Sequence, residues 1–128
     1  MTSPNASLHA WNDIPREILN EKLARKVISG EKTMIAQIFL DAGCIVPRHS
    51  HPNEQVSHVL KGALRFLIGE QQDEEIIVRS GEVLVIPSDL PHSAEALNDT
   101  LVVDTFCPPR ADWLDGSDSY LRKGTGQT

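Results

Sequence analysis

Short apolar runs separated by turn residues recur along most of the chain. They cover residues 33–40, 56–60, 63–68, 76–79, 83–86, 92–97 and 101–106. The runs are rich in Val, Ile, Leu and Phe, and Gly, Pro, Asn, Asp or Ser bound each of them. Each has the length of a β-strand, and no convincing helical stripe lies between them. The pattern predicts an all-β sandwich or barrel.

The regions before and after these runs are less regular. Part of a helical stripe is present in residues 14–28, where Pro15 could open a helix. Residues 23–29 fit a short strand equally well, so both alternatives stay open. After the last run, Pro108 and Pro109 cannot extend a ladder. We expect single helical turns at residues 111–114 and 118–121.

Length, composition and charge limit the classes of protein that fit. A chain of 128 residues has room for one core, which predicts a single domain over residues 1–128, with about 1–10 and 123–128 flexible. The 12 basic and 18 acidic side chains give a net charge of −6, which argues against nucleic acid or a membrane surface as partner. No run is long enough to span a membrane, and no secretory signal is present. We therefore predict a cytoplasmic protein.

The cysteine pattern is uninformative about catalysis. Only Cys44 and Cys107 occur, and they do not form a C-x-x-C pair. In a reducing compartment we expect two buried or partly buried thiols and no disulfide.

Histidines mark the most informative stretch of the chain. His49 and His51 are one residue apart, so they share a face if this segment is a strand. Gln55 shares that face if the strand is uninterrupted. A third histidine, His92, follows the apolar run 83–86 and a turn bounded by prolines. Three imidazoles and one amide oxygen form a suitable ligand set for a divalent transition metal.

The spacing of these residues resembles the two sequence motifs of the cupin superfamily. The motifs read Gly43-x5-His49-x-His51-x3-Gln55-x6-Gly62 and Gly81-x5-Pro87-x4-His92. The resemblance implies an all-β cupin double-stranded β-helix, or jelly-roll, barrel, usually a homodimer. It also implies that His49, His51, Gln55 and His92 hold a metal in the barrel mouth.

Three positions depart from the usual cupin pattern. Gln55 replaces an acidic ligand; the adjacent Glu54 is an alternative, although neighbouring strand residues face opposite ways. Asp89 replaces a glycine, which Asp tolerates because it enters the left-handed region more easily than most residues. Ala96 replaces a late asparagine, so one stabilising polar contact of relatives is expected to be missing.

A narrower resemblance is to the small KdgF-type cupins, the pectin-degradation proteins. Residues 49–55, 91–97 and 103–114 carry it. These relatives open the ring of 4,5-unsaturated uronates to linear keto-sugars. The resemblance implies that Asp104, Phe106 and Arg110 take part in the activity, with Asp104 and Arg110 as catalytic groups and Phe106 and Arg110 binding substrate.

Each of these residues also has a simpler interpretation. Asp104 is either an exposed strand carboxylate or, if its face looks inward, a general acid or base. Arg110 either pairs with a substrate carboxylate or forms a surface ion pair with Asp112 or Asp115. Phe106 forms either a pocket wall or plain core.

Other prominent side chains are assigned to structure or surface. We expect His9 and His58 to be structural or exposed, because His58 is out of phase with Gln55. The tryptophans Trp11 and Trp113 are expected to pack.

The leading hypothesis is a metal-dependent enzyme that acts on a small anionic carbohydrate or a similar enolisable acid. The metal is Zn, Ni, Fe, Co or Mn, since neutral His and Gln ligands accept all of them. Two alternatives stay open: a dioxygenase-type cupin, and a binding module for a small molecule without chemistry.

Overall fold

The strands expected from the apolar runs form in the computed structural model, which describes residues 5–122. They are β1 (Glu17–Asn20), β2 (Leu23–Ser29), β3 (Met34–Leu40), β4 (Ile45–His49), β5 (Glu54–Lys61), β6 (Ala63–Ile68), β7 (Glu74–Arg79), β8 (Val83–Ile86), β9 (His92–Ala96) and β10 (Thr100–Cys107). Residues 5–10, part of the predicted flexible lead-in, are exposed and lie outside any helix or strand. The rest of that lead-in and the predicted flexible tail 123–128 lie outside the described residues.

Two antiparallel sheets face each other as a jelly-roll barrel, which confirms the predicted all-β class. One sheet has the order β1-β2-β3-β10-β5-β8, and the other has the order β4-β9-β6-β7. The alternation of each strand places one set of side chains between the sheets. These inward side chains include Ala36, Ile38, Val59, Leu64, Phe66, Ala94 and Val102, all buried in one core.

The ambiguous region 14–28 contains strands, so the helical alternative is wrong. Strand β2 pairs with β3 from Leu23 opposite Leu40 to Ser29 opposite Met34. A ladder of this length satisfies the backbone of β2 and outweighs an incomplete helical stripe. Between residue 5 and β1, only Trp11–Asp13 forms a 3-10 turn.

The segment after β10 has the two predicted helical turns. Helix α1 spans Ala111–Asp115, and Gly116 in the left-handed region ends it. A 3-10 turn follows at Ser119–Leu121. Leu121 is buried in the core, so residues 108–122, here called the C-terminal segment, are anchored to the barrel. None of the helices within residues 5–122 has the length and hydropathy needed to span a membrane.

An ion-pair cluster holds the C-terminal segment against β1 and β2. Arg25 and Asp118 are both buried, and Arg25 Nη2 lies 2.7 Å from Asp118 Oδ2. Arg25 also pairs with Glu17, and Arg122 pairs with both acidic groups. The cluster contains two cations and two anions, so each buried charge has a partner.

Of two smaller expectations, one is met and one is met only in part. Asp89 adopts a φ of 65°, as expected for the residue in the glycine position, and its N–H donates to the carbonyl of His51. Cys44 is buried as expected, but Cys107 is exposed, because it is the last residue of β10 and lies on the outward face of the strand. No disulfide joins them.

Candidate functional site

The histidines meet where one end of the smaller sheet faces the larger one. His49 on β4 and His92 on β9 are opposite each other in the ladder, and their ring centroids are 4.3 Å apart. His51 lies in the connection between β4 and β5, with its ring 5.2 Å from that of His92. The nitrogen ligand atoms of the three residues all lie within 4.8 Å of one another.

Backbone carbonyls select the same tautomer for all three rings. The Nδ1 atoms of His49, His51 and His92 lie 2.8, 3.0 and 2.8 Å from the carbonyl oxygens of nearby residues in the chain. A carbonyl oxygen only accepts, so each Nδ1 carries the proton and each Nε2 has a lone pair. The Nε2 of His92 is buried and has no hydrogen-bond partner. These are the features of metal-binding histidines oriented by a backbone acceptor.

Gln55 joins this set from the larger sheet. Its Oε1 lies 3.1 Å from Nε2 of His51, and its Nε2 donates to Oγ of Ser57 over 2.9 Å. Because the proton of the His51 ring is on Nδ1, the Nε2 atom of His51 is an acceptor. It therefore faces Oε1 of Gln55, which is also an acceptor, without a proton between them. A cation relieves this contact by binding both lone pairs. Glu54, the alternative ligand, is exposed.

The route by which Gln55 reaches the histidines differs from the expected one. The strand is not continuous from His49 to Gln55, because β4 ends at His49 and β5 begins at Glu54. The intervening residues cross from one sheet to the other. His51 and Gln55 therefore approach each other across a sheet-to-sheet connection.

The electrostatics of the site keep the imidazoles neutral. Burial, followed by the nearby His92, lowers the pKa of His49 to about 3. Burial and then the Arg110 charge lower the pKa of His51 to about 4. Burial likewise lowers the pKa of His92. Neutral rings need not lose a second proton to bind a metal, so the donor set fits a divalent transition metal at neutral pH.

Asp104 faces inward on β10, which excludes the exposed-carboxylate alternative. It lies opposite Ser57 on β5 and Ala36 on β3. Burial raises the pKa of Asp104 to about 6, against the opposing effects of a hydrogen bond from Ser57 and the charge of Arg110. Its Oδ1 is buried without a hydrogen-bond partner. The carboxyl group therefore titrates near neutrality inside the barrel.

Arg110 combines features of both sequence alternatives. Its Nε and Nη2 donate to the carboxylate of Asp112 over 3.0 and 2.8 Å, and Nη2 also donates to the hydroxyl of Tyr120. Asp112 was one of the two expected ion-pair partners of Arg110. The expected location at the surface is wrong, because only 2% of the Arg110 side chain is exposed. Helix α1 begins directly after Arg110 and turns Asp112 back towards it.

Aromatic rings enclose the guanidinium group of Arg110. Its Cζ lies 5.0 Å from the ring centroid of Phe106 and 4.9 Å from that of Trp113. Phe106 also contacts the His51 ring edge-to-face, with centroids 5.8 Å apart. Phe106 is thus both core and pocket wall, and Trp113 packs as expected.

Sequence reasoning missed Tyr120 and Ser57. The Tyr120 ring lies 4.8 Å from the ring of His49. No motif marks Tyr120, because the C-terminal segment brings it to the site. Ser57 does carry a signal, since it is two residues from Gln55 and shares its face. The two histidines that were expected to lie outside the site, His9 and His58, are both exposed.

A cavity of about 60 Å³ connects these groups. Its polar wall includes His49, Gln55, His92, Asp104, Arg110 and Tyr120, and the remainder consists of aliphatic and aromatic side chains together with Arg25. Tyr120 and Leu121 contribute to the wall from the C-terminal segment. The cavity thus places the three groups of interest side by side: the neutral ligand set, a buried carboxyl group and a guanidinium group.

Comparison with known proteins places the fold among characterised structures. Residues 37–106 match the family model described as Cupin domain. The structure of KdgF from Halomonas sp. is 25% identical over 85% of this chain and 99% of that chain, with a TM-score of 0.78. An RmlC-like cupin from Shewanella frigidimarina is 22% identical over 85% and 96% of the two chains, with a TM-score of 0.77. Oxalate decarboxylase from Bacillus subtilis matches 86% of this chain with 34% of its own, at 19% identity and a TM-score of 0.70. The last two likenesses concern the fold alone.

Proposed function

Since the chain belongs to the cupin family, we propose that it is a metal-dependent cupin enzyme that opens the ring of 4,5-unsaturated uronates or of a similar small anionic sugar. One observation carries the proposal: a single cavity is lined by His49 and His92 of the three-histidine set, by a buried carboxyl group and by a buried guanidinium group. The likeness to KdgF from Halomonas sp. supports the choice of reaction.

The metal would be held by His49, His51, Gln55 and His92. When bound, it polarises substrate oxygens and stabilises negative charge that develops on them. All four donors are neutral, so the site keeps the full charge of a divalent ion. This favours an anionic substrate over a neutral one.

Asp104 is the group that moves the proton. Its pKa of about 6 lies close to neutrality, where a carboxyl group both accepts and returns a proton at low cost. The unpartnered Oδ1 is the atom available to the substrate.

Arg110 orients the substrate carboxylate. Asp112 occupies its Nε–Nη2 edge, which leaves Nη1 as the donor for a second acidic group. Phe106 and Trp113 restrict the guanidinium to one plane, and little side-chain entropy is lost when the substrate binds.

The cavity is too small for the proposed substrate in the closed form of the barrel. A cavity of about 150 Å³ holds benzene, with six heavy atoms, and the cavity here is about 60 Å³. A hexuronate has about twice as many heavy atoms as benzene, so it cannot enter the closed barrel. Part of the wall therefore has to move when substrate binds, and Tyr120 and Leu121 are the contribution of the C-terminal segment to that wall.

A chelator-controlled assay tests the proposal. Metal-loaded protein is incubated with a 4,5-unsaturated uronate, and the loss of absorbance of its conjugated double bond is followed. We expect turnover that stops with EDTA and in Asp104→Asn, and that persists in His58→Ala as the matched surface control. If metal-loaded protein turns over no unsaturated uronate, the uronate reaction is rejected and the metal site still stands.

The same samples distinguish the alternatives. Oxygen uptake by iron-loaded protein with candidate acids would support the dioxygenase-type reading. Ligand affinity without any product would support a binding module. We also propose a homodimer on the basis of the family resemblance, and light scattering of purified protein measures the oligomeric state.

A further inference from the structure

Ser57 lies between a ligand of the proposed metal site and the proposed proton-transfer group. It follows Gln55 by two residues on β5 and shares its inward face, and it pairs with Asp104 across the ladder to β10. None of its surface is exposed to solvent. A buried hydroxyl group must satisfy its hydrogen bonds with protein groups.

The hydrogen bonds of Ser57 have a defined direction. A hydroxyl group has one proton to donate and lone pairs to accept with. An amide N–H group only donates, and Nε2 of Gln55 lies 2.9 Å from Oγ of Ser57. Ser57 therefore accepts from Gln55 and keeps its own proton for a different acceptor; Asp104 lies opposite it in the ladder.

This direction decides which end of the Gln55 amide faces the histidines. Because Nε2 is turned to Ser57, Oε1 is the atom that lies 3.1 Å from Nε2 of His51. A reversed amide would place an N–H group there, and an N–H group cannot bind a cation. We propose that Ser57 is a positioning residue that holds the amide oxygen of Gln55 towards the metal. The inference rests on the metal site of the proposed function and not on its substrate.

Loss of the Ser57 hydroxyl should weaken metal binding without removing a ligand. In Ser57→Ala, the Gln55 amide loses its acceptor and rotates between two orientations, of which one binds. Residues that orient metal ligands through hydrogen bonds are worth about 10- to 100-fold in metal affinity. Ser57→Thr keeps a hydroxyl group at the same position and should restore most of that affinity.

A double-mutant cycle on metal affinity tests the link. Zn²⁺ and Co²⁺ affinities are measured by competition with a chromophoric chelator for wild type, Ser57→Ala, Gln55→Ala and the double variant. If Ser57 acts through Gln55, the double variant binds metal no more weakly than Gln55→Ala alone. The visible spectrum of the Co²⁺-loaded protein should change in the same direction in both single variants, because the Gln55 oxygen is missing in Gln55→Ala and is turned to the metal only part of the time in Ser57→Ala. Ser93→Ala, on β9 next to His92 but out of phase with it, is the matched control and should leave affinity and spectrum unchanged.

The outcomes separate this inference from the proposed function. Wild-type affinity in folded Ser57→Ala, full additivity in the cycle, or a Co²⁺ spectrum that only Gln55→Ala changes would each overturn the role of Ser57 and leave the metal site intact. Failure of the wild-type protein to bind any divalent ion would overturn both. Coupled losses, with recovery in Ser57→Thr, would support the inference even if no uronate is turned over.

Discussion

Replacing Asp104 with Asn should stabilise the metal-free protein at neutral pH relative to acidic pH. Asp104 is buried between the sheets, and its pKa is raised from 3.8 to about 6. The folded state therefore holds the proton more tightly than the unfolded state does. The carboxylate thus lowers the stability of the fold wherever it is ionised, as expected for a group kept for function rather than for folding.

The magnitude follows from linkage between protonation and folding. Below pH 3.8 the carboxyl group is neutral in both states and has no effect on stability. As the pH rises from 3.8 to 6, only the unfolded state ionises readily, and unfolding becomes easier. Above pH 6 the full effect is present, and at 1.36 kcal/mol per unit of pKa it amounts to about 3 kcal/mol. Between about pH 4.5 and pH 8 the change is about 2 kcal/mol.

Urea unfolding of wild type and Asp104→Asn at these two pH values, with EDTA present, measures the effect. The stability of the variant relative to wild type should rise by about 2 kcal/mol from the lower to the higher pH. Other titrating groups are common to both proteins and cancel. A fixed cost of burying the Asn amide also cancels, because it is independent of pH. Asp73→Asn, at an exposed position directly before β7, is the control and should show no such change.

Two results would refute this reasoning. A relative stability of Asp104→Asn that is the same at both pH values would mean that burial does not raise the pKa of Asp104. A relative stability that falls as the pH rises would mean that the ionised carboxylate is favoured by the fold, for example through Arg110. Adding Zn²⁺ should reduce the advantage of Asn, because a cation at the histidines favours the ionised carboxylate.

Three further predictions concern the metal site, the ion-pair cluster and a turn. Added Zn²⁺ should raise the melting temperature, because a Zn²⁺ concentration of about one hundred times Kd increases the free energy of unfolding by about 2.7 kcal/mol. Calorimetry should show that His92→Ala abolishes this rise, whereas the exposed His58→Ala does not. Asp118→Ala should destabilise the protein by about 3 kcal/mol in urea unfolding, because it leaves the buried Arg25 without its closest partner. The side chain of Arg122 is 37% exposed, so Arg122→Ala should lower the free energy of unfolding by about 1 kcal/mol or less. Equal losses of stability in the two variants would contradict the assigned burial. Gly62→Ala should lower stability more than Gly69→Ala in the same assay. Both glycines have positive φ, but of the two only Gly62 would bring a Cβ within 3.0 Å of other atoms, including the Asp99 carbonyl oxygen. Equal losses of stability would show that the turn at Gly62 rearranges.

Much of the barrel and of the ligand set was predictable from local pattern. Burying one face of a strand imposes a period of two, and turn residues interrupt it, so the runs from residue 33 onwards indicated their own strands. The same period placed Asp104 and Phe106 on one face of their strand, and it placed Glu54 on the face opposite to Gln55. The region 14–28 could not be decided in this way, because its stripe was incomplete and only pairing of β2 with β3 selects the strand.

The packing of the two sheets and of the C-terminal segment decided the rest. His51 and Gln55 meet although the strand between them is broken, and Arg110 is buried because α1 turns Asp112 back onto it. Tyr120 reaches His49 from a segment that carries no motif. A sequence encodes which face of a strand is apolar, since that depends on neighbours in the chain. Which side chains meet across the barrel, and how little space they leave, depends on contacts between residues far apart in sequence, and only the folded structure determines these.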